Sequence, residues 1–416
     1  MTKSIHIIGG GIIGLCSAWY LNKKGVDVTV IDQGNFKDGT SYGNAGMIVP
    51  SHFVPMAAPG VMTQGLKWLL DRTSPFFIRP RMSADLLKWI WHFYRSSTEP
   101  RVREVMPLLY EFNALSRDLY RDISGEIQTD FGFRERGLLM LYNTIKQEKK
   151  EVELAEKAFD LGVDAQLLGV AQIKGLEPDM EINVRGGIYF PGDAHLTPGI
   201  LMKCLKEELH QTGVRFIEDF AVREFEVSGN NIHSVLNGKG NRIPVKQLLV
   251  TAGAWAAELL KGLGVKILLQ GGKGYSFTLK NKSPKPGIPT ILSEAKVAIT
   301  PMGRDLRIGG TLEISGLTQT VSEKRINGII ECIPDYYKNL DIKKDAVRHI
   351  WTGFRPCTPD GLPYLGKLRS IDNLFLGTGH GMMGLSLGAA SGLILSQIMT
   401  GEKPAIDIAK FTPERF

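Results

Sequence analysis

The chain has 416 residues, of which 43% are hydrophobic and 22% charged. Those are the proportions of a folded globular protein long enough for two or three cores, and they exclude a disordered chain. Its four cysteines, Cys16, Cys204, Cys332 and Cys357, are widely spaced and form no CxxC or Cys/His grouping, so no zinc, iron–sulfur centre or disulfide framework is expected. A net charge of +7 spread over this length reads as solubility or as attraction to an anionic lipid or substrate, and no nucleic-acid partner is expected.

In chain order, Ser4 to Ile8 is an apolar strand that runs directly into Gly9-Gly10-Gly11-Ile12-Ile13-Gly14. A helix-like stretch follows, and Val28 to Ile31 is a second strand ending on Asp32 and Gln33. This βαβ unit is built to hold a dinucleotide. Gly9 allows the tight turn, Gly11 lets backbone N–H groups approach a pyrophosphate, and Gly14 lets the helix pack on the sheet. The helix N-terminus at Ile12 and Ile13 favours phosphate charge, and Asp32 can accept from ribose hydroxyls. The alternative is an ordinary tight βα turn. The apolar start is too short for a signal peptide, and no run of roughly eighteen uncharged apolar residues is present, so a cytoplasmic location is expected.

Further on, 66–192 is helix-rich and then strand-bearing, with strands expected at Gly137 to Tyr142 and Gly187 to Phe190. Thr197 to Gly213 has the spacing of an amphipathic helix. A small meander comes next: Val214 to Ile217, Ala221 to Val227 (through Val222) and Ile232 to Leu236, with a hairpin at Gly229-Asn230-Asn231. Val245 to Val250 is another buried strand, and its small-residue end at Ala252 and Gly253 again allows close approach to a ligand before a helix at Trp255 to Leu263. Strand-like runs recur at Tyr275 to Leu279, Val297 to Thr300 and Leu306 to Gly310. The last unit is Asn373 to Leu376, a glycine loop, and a small-residue-rich helix predicted from Met383 to Met399. The expected architecture is α/β (α+β overall). A Rossmann-like dinucleotide-binding domain comprises 1–65, 193–265 and 352–416, and an interleaved mixed-sheet-plus-helices substrate domain comprises 66–192 and 266–351.

Four separated motifs carry a family resemblance: the Gly9 to Gly14 fingerprint with Asp32; Thr40-Ser41-Tyr42-Gly43-Asn44-Ala45-Gly46; Trp351-Thr352-Gly353-Phe354-Arg355-Pro356-Cys357-Thr358-Pro359-Asp360-Gly361-Leu362-Pro363; and Gly377-Thr378-Gly379-His380-Gly381-Met382-Met383-Gly384. Together they span the chain, which resembles the FAD-dependent amine oxidoreductases that include D-amino acid oxidase, glycine oxidase and the bacterial D-amino acid dehydrogenases, and most of all the dehydrogenase branch. The resemblance implies noncovalent FAD rather than a nicotinamide. It places Ser41, Asn44, Ala45, Gly46 and Met47 at phosphate and ribityl oxygens. The loop Gly379 to Met383 would face the flavin, its helix N-terminus stabilising charge at the N1–C2=O edge. The other reading of that loop is a glycine-rich cap with a surface histidine, and only the backbone of His380 need matter.

In such enzymes the arginine of a Gly-Phe-Arg-Pro run pairs with the substrate carboxylate, which puts that role on Arg355; the alternative is an ion pair holding the Thr358 to Gly361 turn. Tyr275, in a Lys-Gly-Tyr-Ser element, matches the dehydrogenase branch. Its hydroxyl would assist the carboxylate or line the pocket, or the ring is simply packed. The implied reaction is dehydrogenation of a D-amino acid, or of a cyclic one such as D-proline or hydroxy-D-proline, by hydride transfer from Cα to flavin N5. It needs no paired acids or metal, only positioning by Arg355, Tyr275 and the His380 loop. A flavin-linked cysteine is not expected, because Cys357 lies directly before Thr358 rather than a few residues upstream.

The electron acceptor divides a quinone-linked dehydrogenase from an oxygen-using amine oxidase of the glycine or sarcosine type. One segment bears on it. Residues 66–103 mix aromatic side chains (Trp68, Phe76, Phe77, Trp89, Trp91, Phe93, Tyr94) with basic ones (Lys67, Arg72, Arg79, Arg81, Lys88, Arg95, Arg101, Arg103). Within it Asp85, Lys88, His92 and Arg95 form a polar stripe, with Leu86, Leu87, Ile90, Phe93 and Tyr94 facing elsewhere. Two readings stand: peripheral docking on the inner face of an anionic membrane, delivering electrons to quinone, or packing of the aromatics on the second domain. Two readings of other classes are a nicotinamide dehydrogenase and a flavin-containing partner-binding module without turnover.

Overall fold

The computed structural model describes residues 4–61, 76–78 and 83–416. Lys67, Trp68, Arg72, Arg79 and Arg81, named above for a basic aromatic segment, lie outside them, as does the side chain of Phe76.

Short β-branched runs form a six-stranded sheet. Its parallel part runs, in spatial order, Leu374–Thr378, Gln247–Val250, Ser4–Ile8, Asp27–Ile31 and Arg215–Ile217, and Tyr364–Lys367 is added antiparallel at the first edge. Strands covered on both faces read as continuous apolar runs, as these do. The helix Ile12–Lys23 is buried nearly all round, and Gly392 on the helix Gly388–Thr400 crosses it so closely that a Cβ there would lie 2.5 Å from the Cys16 backbone. That crossing is why the last helix is rich in small residues. The expected meander is corrected at one strand: Ala221 to Val227 and Ile232 to Leu236 pair as Val222–Ser228 and Asn231–Asn237 with Arg242–Pro244 as the third strand, whereas Arg215–Ile217 joins the parallel sheet beside Asp27–Ile31.

The second sheet is mixed and, among the described residues, nine-stranded. Its central run is Trp351–Cys357, Gln270–Leu279, Asp305–Ile314, Val297–Met302, Thr290–Leu292 and Leu138–Tyr142, followed by Gly186–Phe190 and Gln166–Leu168. Phe76–Ile78 pairs with Leu312 to Ile314.

Three further expectations are corrected. The boundary at 352 falls inside a strand: Trp351–Cys357 pairs along Gln270 to Ser276, so Arg355 rides on the substrate-side sheet. The long helix Glu99–Glu126, assigned to the substrate domain, buries Val105, Leu109, Phe112, Tyr120 and Ile123 in the same core as the first βαβ unit. The C-terminal helix begins at Gly388 rather than Met383, because the chain first makes a 3-10 turn at Gly381–Met383, with Gly379 and Gly381 in left-handed conformations. At the other predicted helix, a 3-10 turn at Gly253–Trp255 leads into the short helix Ala256–Lys261.

The helix Ala84–Ser96 is capped by Ser83, whose hydroxyl accepts from Leu86 N–H. Leu86, Trp89 and Phe93 face inward, and the Trp89 indole donates to the Cys357 carbonyl at 2.9 Å. Leu87 and Tyr94 do not join them: with Trp91 they are 65%, 67% and 52% exposed (Leu87, Tyr94, Trp91) among the charged residues. The packing surface reaches only one narrow stripe of the helix, so the aromatic content divides between both faces. Among the described residues no helix is long and apolar enough to cross a membrane.

Candidate active site

The glycine turn behaves as its spacing demands. Gly9 has φ +109°, and a Cβ on it would meet the Thr251 carbonyl oxygen at 2.6 Å. A Cβ on Gly14 would lie 2.0 Å from the Gly9 carbonyl oxygen, which fixes glycine there for helix–strand packing. Gly11 differs: the nearest atom to a Cβ is Ser41 Oγ at 3.5 Å, so the protein itself does not forbid a side chain. The space is kept for something else. Around it, Ile12 N–H donates to Ser41 Oγ at 3.0 Å, and Asp32 accepts from Gly10 N–H at 2.6 Å and Gly34 N–H at 2.9 Å. Each Asp32 oxygen keeps a further lone pair for a hydroxyl at the cavity wall.

The turn opens into a cavity of about 1790 Å³ that runs on to the second sheet. Gly9, Gly11, Ile12, Ile13, Asp32, Gln33, Ser41, Asn44, Ala45 and Met47 line it. From the far side so do Val222, Ala252, Gly253 and the loop Gly379, His380, Gly381, Met382 and Met383. Gly14 and Gly46 do not; both are packing glycines. A Cβ on Gly46, at φ +82°, would meet the Leu196 carbonyl oxygen at 2.3 Å, and its N–H donates to Asn44 Oδ1 at 2.8 Å.

Three side chains not singled out from the sequence hold the Ser41 to Gly46 loop. Arg307, buried so that its charged form is disfavoured, donates to the carbonyls of Tyr42 at 3.3 Å and Asn44 at 3.0 Å. Ser276 Oγ donates to the Gly43 carbonyl at 2.7 Å. The Trp351 ring covers Gly43 and Gly353, where Cβ atoms would lie 2.0 and 1.8 Å from it. Paired glycines facing one tryptophan were the legible signal; nothing in the sequence marked Arg307.

Arg355 lines the cavity from the strand Trp351–Cys357. Its guanidinium lies flat over Gly274, where a Cβ would come within 2.1 Å of Nη1, and Nη1 donates to the Thr311 carbonyl at 2.7 Å. Thr311 has φ +63° and sits where the pairing register slips between Lys273 and Tyr275, a bulge that turns the carbonyl to the guanidinium. Among the described residues no carboxylate pairs with Arg355. The alternative of a turn-holding ion pair is removed by Arg415, which takes both oxygens of buried Asp360 at 2.8 and 2.9 Å and stacks 4.1 Å over Tyr364. Burial disfavours the Arg355 charge, and a bound anion would reverse that penalty.

Tyr275 and His380 both line the cavity, but the Tyr275 hydroxyl and the His380 Nε2 are bonded to protein groups instead. Strand alternation puts Gly274 and Ser276 on the cavity face and Lys273 and Tyr275 on the other. There the Tyr275 ring joins a core with Ile326 and Ile329, and its hydroxyl donates to Glu313 Oε2 at 3.2 Å. Burial and Glu313 push its pKa up to about 12. His380 Nε2 shares a hydrogen bond with Ser391 Oγ at 2.9 Å, and burial lowers its pKa to about 3, so the ring is a neutral strut between loop and helix. The Cys357 thiol is buried and pushed up to about 11 by burial, against the pull of Arg355 and the Gly272 N–H, so it has little thiolate character. No group of acidic, histidine or cysteine residues that could hold a metal is found among the described residues.

A glycine cradle at the carboxyl ends of parallel strands, continuous with a deep cavity that reaches Arg355, defines a dinucleotide-binding protein with room for a small ligand beside the dinucleotide. The sequence profile of the DAO family, FAD-dependent oxidoreductases, matches residues 4–398, and the chain belongs to that family. FAD is therefore the cofactor, and the open space at Gly11 with the N–H groups beyond it fits its pyrophosphate. The chain is 32% identical over 407 residues, 95% of this chain and 96% of the other, to a protein of Vibrio vulnificus (strain YJ016) named D-amino acid dehydrogenase. Among solved structures it is similar to glycine oxidase from Geobacillus kaustophilus, with a TM-score of 0.79, 21% identity and full coverage of both chains. It is also similar to L-proline dehydrogenase from P. horikoshii, with a TM-score of 0.78, 19% identity and coverage of 100% of this chain and 98% of that one.

Proposed function

We propose that this FAD-dependent amino acid oxidoreductase is a dehydrogenase of D-amino or cyclic D-imino acids, with Arg355 as the carboxylate anchor. The observation that carries this is the Arg355 guanidinium, which lines the cavity and, among the described residues, has the Thr311 carbonyl as its hydrogen-bond partner and no carboxylate. The D-configuration is supported by the relative of Vibrio vulnificus, and the cyclic alternative by the likeness to a proline dehydrogenase. When bound, FAD supplies the hydride acceptor. The chain's own part is positional: Arg355 fixes the carboxylate, Thr311 fixes Arg355, and the Trp351 ring and Ser276 hold the loop at the other side of the cavity. An anaerobic screen of D- and L-amino acids, following loss of visible flavin absorbance, tests the reading. Bleaching by D- but not L-enantiomers is expected, and bleaching by neither would sink it.

The flavin is expected to be noncovalent, since Cys357 is buried with a raised pKa. Acid precipitation should send all yellow colour to the supernatant; colour left in the pellet would contradict this. For the electron acceptor we favour quinone at a membrane surface. The exposed Leu87, Trp91 and Tyr94, beside Lys88 and Arg95, make a patch suited to an anionic interface, whereas core packing accounts only for the inner face of that helix. Sedimentation with anionic but not neutral vesicles, lost on Trp91→Glu, is the test.

A further inference from the structure

The strand that carries Thr311 changes partners at that residue. Asp305–Ile314 pairs with Val297–Met302 up to Gly309, and past Thr311 it pairs instead with Phe76–Ile78, over Leu312 to Ile314. On its other edge the register against Gln270–Leu279 sets Tyr275 opposite Gly310 and Lys273 opposite Glu313, so Gly274 alone faces both Thr311 and Leu312. That two-against-one count is a β-bulge. Thr311 is β-branched and held at φ +63°, a conformation such a residue keeps only where its surroundings impose it.

Behind the bulge Glu313 is the carboxylate of a buried charge cluster. Lys273 Nζ lies 3.4 Å from Glu313 Oε1, and Arg325 Nε, brought by the helix Glu323–Glu331, lies 3.4 Å from Oε2. The Tyr275 hydroxyl donates to the same Oε2 at 3.2 Å, and Lys273 Nζ donates to the Thr320 carbonyl at 2.8 Å. The Arg325 guanidinium also lies 5.1 Å over the ring of Phe77, the residue paired with Glu313 in the strand that takes over past the bulge. The side chains of Lys273, Arg325 and Glu313 are only 3%, 6% and 13% exposed. Burial opposes ionisation of Glu313, but its neighbours, Lys273 and Arg325 among them, hold its pKa below the ordinary value.

The cluster grips the bulge from both strands. Lys273 and Tyr275 stand on either side of Gly274, Glu313 stands two residues past Thr311, and the contacts of Glu313 with Lys273 and Tyr275 close across the slip. A buried network of this kind rigidifies the backbone that carries it. In a regular ladder the Thr311 carbonyl would lie in the plane of the sheet and point at a neighbouring strand. Held in the bulge, it instead meets a guanidinium that lies over Gly274.

We infer that Glu313 is a positioning residue for the carboxylate anchor: tied to Lys273, Tyr275 and Arg325, it holds the bulge in the register that aims the Thr311 carbonyl at Arg355. The inference rests on the amino acid reading above and extends it to a side chain behind the cavity wall.

The test is a double-mutant cycle on FAD-loaded enzyme, with flavin content and melting temperature measured beside kcat and KM for the amino acid that bleaches the wild type fastest. Glu313→Gln keeps the shape of the side chain and removes its charge. Lys273→Met takes away one cation and leaves Glu313 paired with Arg325, so no carboxylate is stranded. Each should lower kcat/KM by about tenfold, chiefly through KM, as contacting residues of one network do. In the Arg355→Ala background neither should lower it further, because no guanidinium is left to aim; a merely structural role would cost the same in both backgrounds. Wild-type kcat/KM in either folded variant, or an equal fold-loss with and without Arg355, overturns the inference while leaving the enzyme class intact. Loss of FAD from Lys273→Met also overturns it, since the cluster would then be holding the cofactor site. If Glu313→Gln does not fold, Lys273→Met decides by the same criteria. If no amino acid bleaches the wild type, the functional reading itself fails and takes this inference with it.

Discussion

Arg355→Ala is expected to yield folded, yellow protein that has lost most of its turnover of D-amino acids. The side chain makes one hydrogen bond to the protein, to the Thr311 carbonyl, and no ion pair among the described residues, so its removal leaves no protein carboxylate stranded. What is stranded is the substrate's. Losing one partner of a desolvated, hydrogen-bonded charge pair costs about 2–5 kcal/mol, a fall in kcat/KM of about thirtyfold to several thousandfold. Lysine should restore only part of this, because an ammonium supplies charge without the planar fork. Gly274→Ala should mimic the loss, since its Cβ would enter the space of the guanidinium. Amines without a carboxylate should be poor substrates of the wild type and indifferent to Arg355→Ala. Steady-state kinetics beside flavin content decide the matter: near wild-type efficiency in Arg355→Ala would end both the assigned anchor and the substrate class.

Gly11→Val and Gly14→Val should fail in different ways, although the two residues belong to one motif. Valine at 11 meets no protein atom closer than Ser41 Oγ at 3.5 Å from its Cβ, so the chain should fold with native circular dichroism and emerge colourless, its side chain standing where the pyrophosphate belongs. Valine at 14 meets the Gly9 carbonyl oxygen at 2.0 Å, and the helix can escape only by lifting off the sheet. That variant should be destabilised by several kcal/mol or be insoluble, as expected of overpacking against backbone. Full flavin occupancy in Gly11→Val would mean the phosphate position has been misread. A stable, apo-like Gly14→Val would remove the packing argument.

The sequence was most readable where the chemistry is local. Gly9, Gly11 and Gly14 act within one βα turn, and Asp32 follows at the end of the next strand, so their spacing alone specified the cradle and its ligand class. Even here the division of labour between the glycines needed coordinates, because Gly11 and Gly14 are told apart only by what a Cβ would touch. The Gly379 to Met383 loop lines the cavity, but the helix behind it starts at Gly388, since left-handed glycines and a close packing against Tyr120 and Ile12 override apolar periodicity.

By itself, then, the sequence marked the dinucleotide cradle and four of the six strands of its sheet, and the family resemblance it carries pointed to Arg355. Tertiary structure alone decided what each polar side chain faces. Asp360 is five residues from Arg355, yet it is taken by Arg415, brought in by the C-terminal segment, and that distant pairing leaves Arg355 open to a ligand. The pairing slip between Lys273 and Tyr275 sends Thr311's carbonyl to Arg355, while alternation turns Tyr275 into the core. A side chain's face depends on register, and register is set by bulges and long-range pairing that no local pattern records.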